Sequence, residues 1–369
     1  MKIDLLYEIQ APLPHDERTE YRYFHDALEQ IEAADRAGFG CVWAVEHHFL
    51  TEFAHSSAPE VWLTAAAMRT QRIRIGHGVA LLPKNFNHPI RVAERAATLD
   101  IVSDGRLEFG TGRSSAYEQA GFEVPTEDSR AQWQEALEMI PRMWERKRFA
   151  HRGRFYNVPE RDIVPKPIQD PHPRIWMAAT SPESWALAAR NGIGILGLSI
   201  YVPVSTVEKQ IAEYKAELAN AKPVGRSVND QVGVFTIVHC AETPEEAREN
   251  HAHDAAIEYL NYVFKVFASG ITPEAHKAGD VPHQTVELAR DYPLITKMIN
   301  GTATYEELDE EDNVIIGDVD HCIRKLERYR DIGADRVLCL MQASRIPHEA
   351  VMKSIDLFGR HIVPHFDRD

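Results

Sequence analysis

The strongest constraint on this chain is an alternation. Short β-branched and apolar runs recur, with longer helical periodicities between them, over nearly all of its 369 residues. Strand-like runs fall at 3–7, 41–44, 73–79, 107–110, 174–178, 193–198, 232–240 and 336–340. Helical patterns occupy 21–37, 59–70, 89–103, 129–144, 182–191, 204–221, 244–267 and 319–332, and a last one at 347–360 closes the series. Gly38, Gly192 and Gly333 stand just past three of these helices, as helix-terminating glycines do. Strands each followed by a helix are parallel βα units. Closing eight of them gives a (β/α)8 TIM barrel in the α/β class; the alternative is an open doubly wound sheet. One barrel domain over residues 1–369 is compatible with this length, because such barrels run well past 200 residues.

Two connections break the rhythm. About fifty residues, at about 268–318, follow the seventh strand and its helix and include ITPEAHKAGDVPHQ and YEELDEEDNV; an excursion of that length reads as a lid or as a passive insertion. Residues 147–173, with several prolines, form the second.

Charge and cysteine usage narrow the partners. Lys plus Arg is 41 against Asp plus Glu at 56, a formal charge of −15, which repels phosphate backbones and anionic lipid. Neither nucleic acid nor membrane is therefore expected. The opening MKIDLLYEIQ reaches acidic residues at once, unlike a secretory leader, and no apolar run approaches the length of a membrane span. Cys41, Cys240, Cys322 and Cys339 are scattered without a CxxC pair and read as reduced, buried thiols. The expectation is a soluble cytoplasmic protein.

In a barrel of this kind the chemistry sits just beyond the C-terminal ends of the strands. Strand one delivers Glu8 there, and strand two delivers Glu46, His47 and His48 out of the run CVWAVEHHF. These three are metal ligands, an acid–base centre, or a solvated loop. Adjacent residues on an extended segment point to opposite sides, and neither HExxH nor a Cys/His spacing is present, which disfavours a metal. One histidine facing the mouth with the other packed behind it fits better; two structural loop histidines are the plain alternative.

Strand four ends in FGTGRSS, placing Gly112, Arg113, Ser114 and Ser115 at the mouth. A guanidinium beside glycines and hydroxyls is a candidate phosphate clamp. Strand five ends in ATSPESW, in which Ala179, Thr180 and Ser181 precede a helix. Thr180 or Ser181 is a good N-cap, Pro182 suits the first turn, and Glu183 completes a capping box with Thr180. The free N–H groups of such a helix start attract anions, although most caps only cap.

VWAVEHHFLTEF, GHGVALLPKNFNHPIRVAE, LDIVSDGRLEFGTGRS and AATSPESW, in this order, resemble the bacterial luciferase-like flavin-dependent monooxygenases over most of the chain. The resemblance implies a (β/α)8 barrel that binds FMN, reduced by a separate NAD(P)H-flavin reductase. It implies O2 activation through a flavin peroxide to oxygenate a small organic substrate such as an aldehyde or ketone. His47 is similar to the family's active-site histidine, with Glu46 or a backbone carbonyl fixing its tautomer. Gly78 and Val79 match a bulged or cis-peptide seat behind the flavin ring. Arg113, with Gly112, Ser114 and Ser115, matches the phosphate site; Ala179, Thr180 and Ser181 match contacts to ribityl and phosphate groups.

Two positions depart from the luciferase pattern. Gly112 stands where a reactive cysteine is found, and Ala179 and Thr180 replace a glutamate–serine pair; the likeness to light-emitting members is weakest in the insertion after Phe267, so light emission is not part of what the resemblance implies. A deazaflavin-dependent oxidoreductase and a non-catalytic FMN-binding protein on the same fold remain alternatives. The helix PEVWLTAAAMRT is apolar on nearly every side, and its successor carries Ala93, Ala96 and Ala97. A homodimer through the second and third barrel helices is the expectation.

Overall fold

The computed structural model describes residues 1–267 and 292–367. Four βα steps open the chain, the last with two helices: β1 (Lys2–Tyr7), α1 (Thr19–Ala37), β2 (Cys41–Ala44), α2 (Pro59–Arg69), β3 (Arg74–Leu81), α3 (Pro89–Val102), β4 (Leu107–Gly112), α4 (Ala116–Gly121) and α5 (Thr126–Glu145). A short antiparallel hairpin, β5 (Phe149–Arg152) and β6 (Asn157–Arg161), fills part of the proline-bearing connection. The barrel resumes with β7 (Arg174–Ala178), α6 (Pro182–Asn191), β8 (Gly194–Leu198), α7 (Val204–Glu217), β9 (Val232–Cys240), α8 (Pro244–Glu249) and α9 (Ala252–Phe267). It ends with α10 (Pro293–Ile299), α11 (Tyr305–Glu310), β10 (Val314–Gly317), α12 (Val319–Asp331), β11 (Arg336–Leu340) and α13 (His348–Leu357).

Parallel pairing runs β1–β2–β3–β4–β7–β8–β9–β11 and returns from β11 to β1, so the ring closes as an eight-stranded barrel. The strands are near-continuous apolar runs because both faces are covered, by helices outside and by side chains within. The helix stops follow from local chemistry. Gly38 (φ 90°) and Gly192 (φ 65°) end α1 and α6 in the left-handed region, where a side chain would crowd its own carbonyl.

The lower barrel is filled by a polar layer and two indoles. Arg336 meets Asp4 at 3.0 Å, and Trp43 Nε1 donates to Asp4 at 2.9 Å. Glu108 accepts from Trp176 Nε1 at 2.8 Å and from Arg174 and Arg74. Gly76 makes room for this plug, since a Cβ there would stand 2.4 Å from the Trp43 ring. With the floor closed, open space is left at the C-terminal mouth.

Two expectations are corrected. The insertion expected at 268–318 is not all irregular: 292–318 holds α10, α11 and β10, with β10 pairing parallel to the C-terminal half of β9 outside the ring. Residues 268–291 lie outside the described residues, and so does the part of the expected lid that falls on them. The helix expected over 244–267 is split at Asn250–His251, where His251 turns with φ 61°. Among the described residues no helix is long and apolar enough to cross a membrane.

Candidate active site

A cavity of about 520 Å³ opens at the mouth, within the size range of small-molecule sites. Ten of the eleven expected residues line it: Glu46, His47, Gly78, Val79, Gly112, Arg113, Ser114, Ser115, Thr180 and Ser181. Ala179 does not. It is buried and its N–H donates to Leu196 O at 3.0 Å, so its side chain packs into the core.

His47 leaves the end of β2 with Nδ1 3.0 Å from Glu118 Oε1. Its neighbour His48 turns away, as alternation along an extended segment requires, and packs against Phe86 and Phe122. The partner of His47 is thus Glu118, on the short helix α4, rather than Glu46. Glu46 instead accepts from Leu81 N at 2.7 Å and Asn87 Nδ2 at 2.9 Å, which ties down the end of β3.

Glu118 is 0% exposed and collects donors on both oxygens: His48 N at 2.8 Å, Ser114 Oγ at 2.5 Å and Ser115 Oγ at 2.9 Å. Burial opposes its charge, yet His47 and these donors outweigh burial and hold the carboxyl down to about 2. Burial likewise works against a charged His47. The charge and hydrogen bond of Glu118, with Glu8 and Glu46 adding, prevail and raise His47 above its ordinary value. The pair is a half-buried imidazole on a fully buried carboxylate, and Glu118 favours the protonated ring. Glu118 escaped the sequence reading, although the capping box Ser115-x-x-Glu118 was there to be seen.

The mouth has a second polar end. Arg113, on the loop after β4, donates to Ser129 Oγ at 3.1 Å and has no carboxylate within ion-pair distance among the described residues. Burial, with Arg130 adding, lowers its proton affinity. Arg130 pairs with Glu183 at 3.2 Å and lines the same cavity end. Facing both is the start of α6, where the capping box uses Ser181 and Ser184 rather than the expected Thr180 and Glu183. The Thr180 side chain is left at the cavity wall, not spent on the cap. Two guanidiniums and a helix N-terminus converging on one end form an anion site suited to a phosphate monoester.

Between the ends, the wall is backbone and aliphatic. The Gly78–Val79 peptide is cis, and the β3–β4 register shifts between His77 and Ala80. A Cβ on Gly112 would lie 2.4 Å from Val79 Cγ2, so glycine is what keeps this wall flat. Leu6, Val45, Leu196 and Leu338 add apolar lining to the same cavity, chemistry suited to a flavin ring. The donor set therefore fits FMN: phosphate at Arg113, Arg130 and α6, and ring against Gly78–Val79.

Comparison with known proteins agrees with this geometry. The family model described as luciferase-like monooxygenase matches residues 4–336. The oxygenase component of a flavin-dependent trigonelline monooxygenase from Acinetobacter baylyi is 26% identical over 87% of this chain and 84% of its own. Limonene 1,2-monooxygenase from Rhodococcus erythropolis is 28% identical over 94% and 82%. An F420-dependent glucose-6-phosphate dehydrogenase from Microbacterium testaceum is 26% identical over 81% and 82%. The crystal structure of monooxygenase RslO1 from Streptomyces bottropensis superposes with a TM-score of 0.77 at 26% identity, covering 99% of this chain and 100% of that one. From the first barrel strand to the last, the chain belongs to the luciferase-like monooxygenase family.

Proposed function

We propose that this protein is the oxygenase of a two-component system. It takes reduced FMN from a separate NAD(P)H-flavin reductase and uses O2 to place one oxygen atom into a small organic substrate. The observation that carries the reading is the two-ended cavity, with a guanidinium that has no carboxylate partner among the described residues at one end and the His47–Glu118 couple at the other. The existence of a relative that is the oxygenase component of a flavin-dependent monooxygenase supports the division of labour.

Reduced flavin, when bound, supplies the electrons that activate O2. This chain's residues do the rest. Arg113 and Arg130 hold the phosphate, helped by the N–H groups at the start of α6, while Thr180 faces the ribityl chain. Gly78, Val79 and Gly112 support the ring on bare backbone. Glu118 fixes the His47 ring with Nδ1–H directed at the carboxylate, which orients the imidazole at the cavity to hold or release a proton at the reacting oxygen. Glu46 keeps the β3 wall in place. Passive FMN binding would not need this charged couple, which counts against a non-catalytic role.

We place the homodimer contact on α2 and α3, where Val61 (68% exposed) and Met68 (67% exposed) stand out beside Ile101 and Val102. The competing deazaflavin reading draws support from the F420-dependent relative. Anaerobic titration with reduced FMN, oxidised FMN and F420 separates the two. Tight binding of reduced FMN, weakened in Arg113→Ala, is the expected result. Tight binding of F420 without binding of reduced FMN overturns the monooxygenase assignment.

A further inference from the structure

The half of the cavity under β1 and β9 differs in chemistry from the phosphate half. In the ring, β1 stands across from β7, so Glu8 at the end of β1 faces away from the Arg113–Ser181 end. Phe53, Tyr201, Phe235, Tyr259, Val263 and Leu338 form the surrounding wall. Glu8 is only 4% exposed, and its Oε1 accepts from Tyr259 Oη at 3.0 Å. Its Oε2 accepts from Gln10 Nε2 at 3.0 Å. The Gln10 amide has no choice of orientation, because its own Oε1 accepts from Ser344 N at 2.7 Å.

Glu8 is therefore ringed by donors, the shell of an ionised carboxylate, with one acceptor position left on each oxygen. The one charged group acting on it among the described residues is His47, which is already committed to Glu118. A buried carboxylate with donors but no countercharge of its own is half of an ion pair. We propose that this end binds the organic substrate through a cationic nitrogen, a protonated amine or quaternary ammonium on an apolar body of about one ring's size, set against Glu8 among the aromatic side chains. The proposal rests on the opposite end taking the FMN phosphate, which leaves this end for the substrate.

Two further observations agree. Aromatic faces attract cations as well as apolar groups, and three of the wall residues beside Glu8 are Tyr259, Phe235 and Tyr201. A neighbouring hollow of about 340 Å³ shares Phe53 and Tyr259 with the cavity and carries Glu52 and Glu258 against the single Arg345, 3.7 Å from Glu258. A net negative lining beside this end of the cavity favours cations over anions there. Burial pushes the Glu8 carboxyl up to about 7, against the pull of His47, Tyr259 and Gln10. The titratable groups that face it are His47 and Tyr259, with Glu46 and Glu118 acting on His47 behind. Cation binding accordingly strengthens as pH rises through 7 and Glu8 ionises.

The test uses three probes of matched size on the FMN-loaded protein: N-methylpyridinium, toluene and benzoate, compared by calorimetry. The expected result is that N-methylpyridinium binds about tenfold or more tightly than toluene, with benzoate weakest. The preference disappears in Glu8→Gln and persists in Tyr259→Phe, which keeps the carboxylate. Toluene binding as tightly as the cation, no binding of the cation to the wild-type protein, or a preference unchanged in Glu8→Gln overturns the proposal. FMN titration of the same preparations keeps the two readings apart and reports folding of the variants. Failure of FMN to bind the wild type removes the flavin assignment, whereas FMN binding without charge preference removes only the cationic substrate.

Discussion

Replacing Glu118 by glutamine tests how the cavity sets the charge of His47. Five donors converge on the carboxylate: His47 Nδ1 and His48 N on Oε1, and Ser114 Oγ, Ser115 Oγ and Ser115 N on Oε2. The glutamine NH2 fits better on the Oε2 side, where two hydroxyls rotate to accept and only the long 3.4 Å Ser115 N–H contact is lost, than against the His48 N–H at 2.8 Å. Shape survives and charge does not. A carboxyl held at about 2 instead of its ordinary 4.5 is stabilised in its charged form by about 3 kcal/mol. Exchanging charge-assisted for neutral hydrogen bonds gives a similar figure of about 2 kcal/mol.

The expected loss of unfolding free energy at neutral pH is therefore about 2–3 kcal/mol. The sign follows from a depressed carboxyl: its contribution is full above about 4.5 and fades as pH falls through about 2, so variant and wild type converge in acid. His47 shifts the opposite way. Its raised value stabilises the fold below its ordinary 6.5 and is lost as pH climbs through the raised value. Without Glu118, burial dominates and His47 drops below 6.5, neutral at physiological pH. Urea unfolding at neutral pH and at about pH 3 checks the first part, and ring-nitrogen NMR of His47, assigned against His47→Gln, checks the second. A loss under about 1 kcal/mol, or a His47 titration that does not move down, refutes the reasoning.

Arg113→Ala removes a guanidinium that has no carboxylate partner among the described residues, and FMN affinity should fall about 10²-fold by fluorescence titration with folding unchanged. Gly112→Ala drives a Cβ to 2.4 Å from Val79 Cγ2; crowding of about 1–3 kcal/mol should lower both the unfolding midpoint and FMN affinity. Glu108→Gln, at the floor, strands Arg74 and Arg174 and should cost about 3 kcal/mol in urea unfolding, the lower end of the range because both guanidiniums reach solvent, while FMN binding stays. Val61→Glu combined with Met68→Glu should convert a dimer to a monomer in light scattering; an unchanged mass removes α2 and α3 as the interface.

What the sequence made legible was whatever depends on local periodicity and strand ends. All eight ring strands lie where alternating apolar runs and helix stops put them, and the mouth residues follow from the strand ends. What escaped depends on distant segments meeting. Glu118 joins His47 across 71 positions because α4 folds back under the β2 loop, and no local pattern encodes that approach. Of the two caps offered, Thr180 and Ser181, α6 uses Ser181, so its capping box closes on Ser184 rather than on Glu183 and the Thr180 hydroxyl is left at the cavity. Ala179 turned inward, since alternation along the strand end sets its side. β10 was hidden within an acidic, turn-rich stretch, although Val314–Gly317 is apolar throughout; it forms only because the free edge of β9 is there to pair with.

The central claim is that this barrel binds reduced FMN and controls its reaction with oxygen. The most direct measurement mixes the protein, loaded anaerobically with reduced FMN, with oxygenated buffer and follows flavin reoxidation by rapid-scanning absorbance. The account predicts reoxidation that differs clearly in rate and in spectral course from free reduced FMN, and that reverts toward the free behaviour in His47→Ala. Reoxidation indistinguishable from free flavin, although reduced FMN is bound, would contradict it.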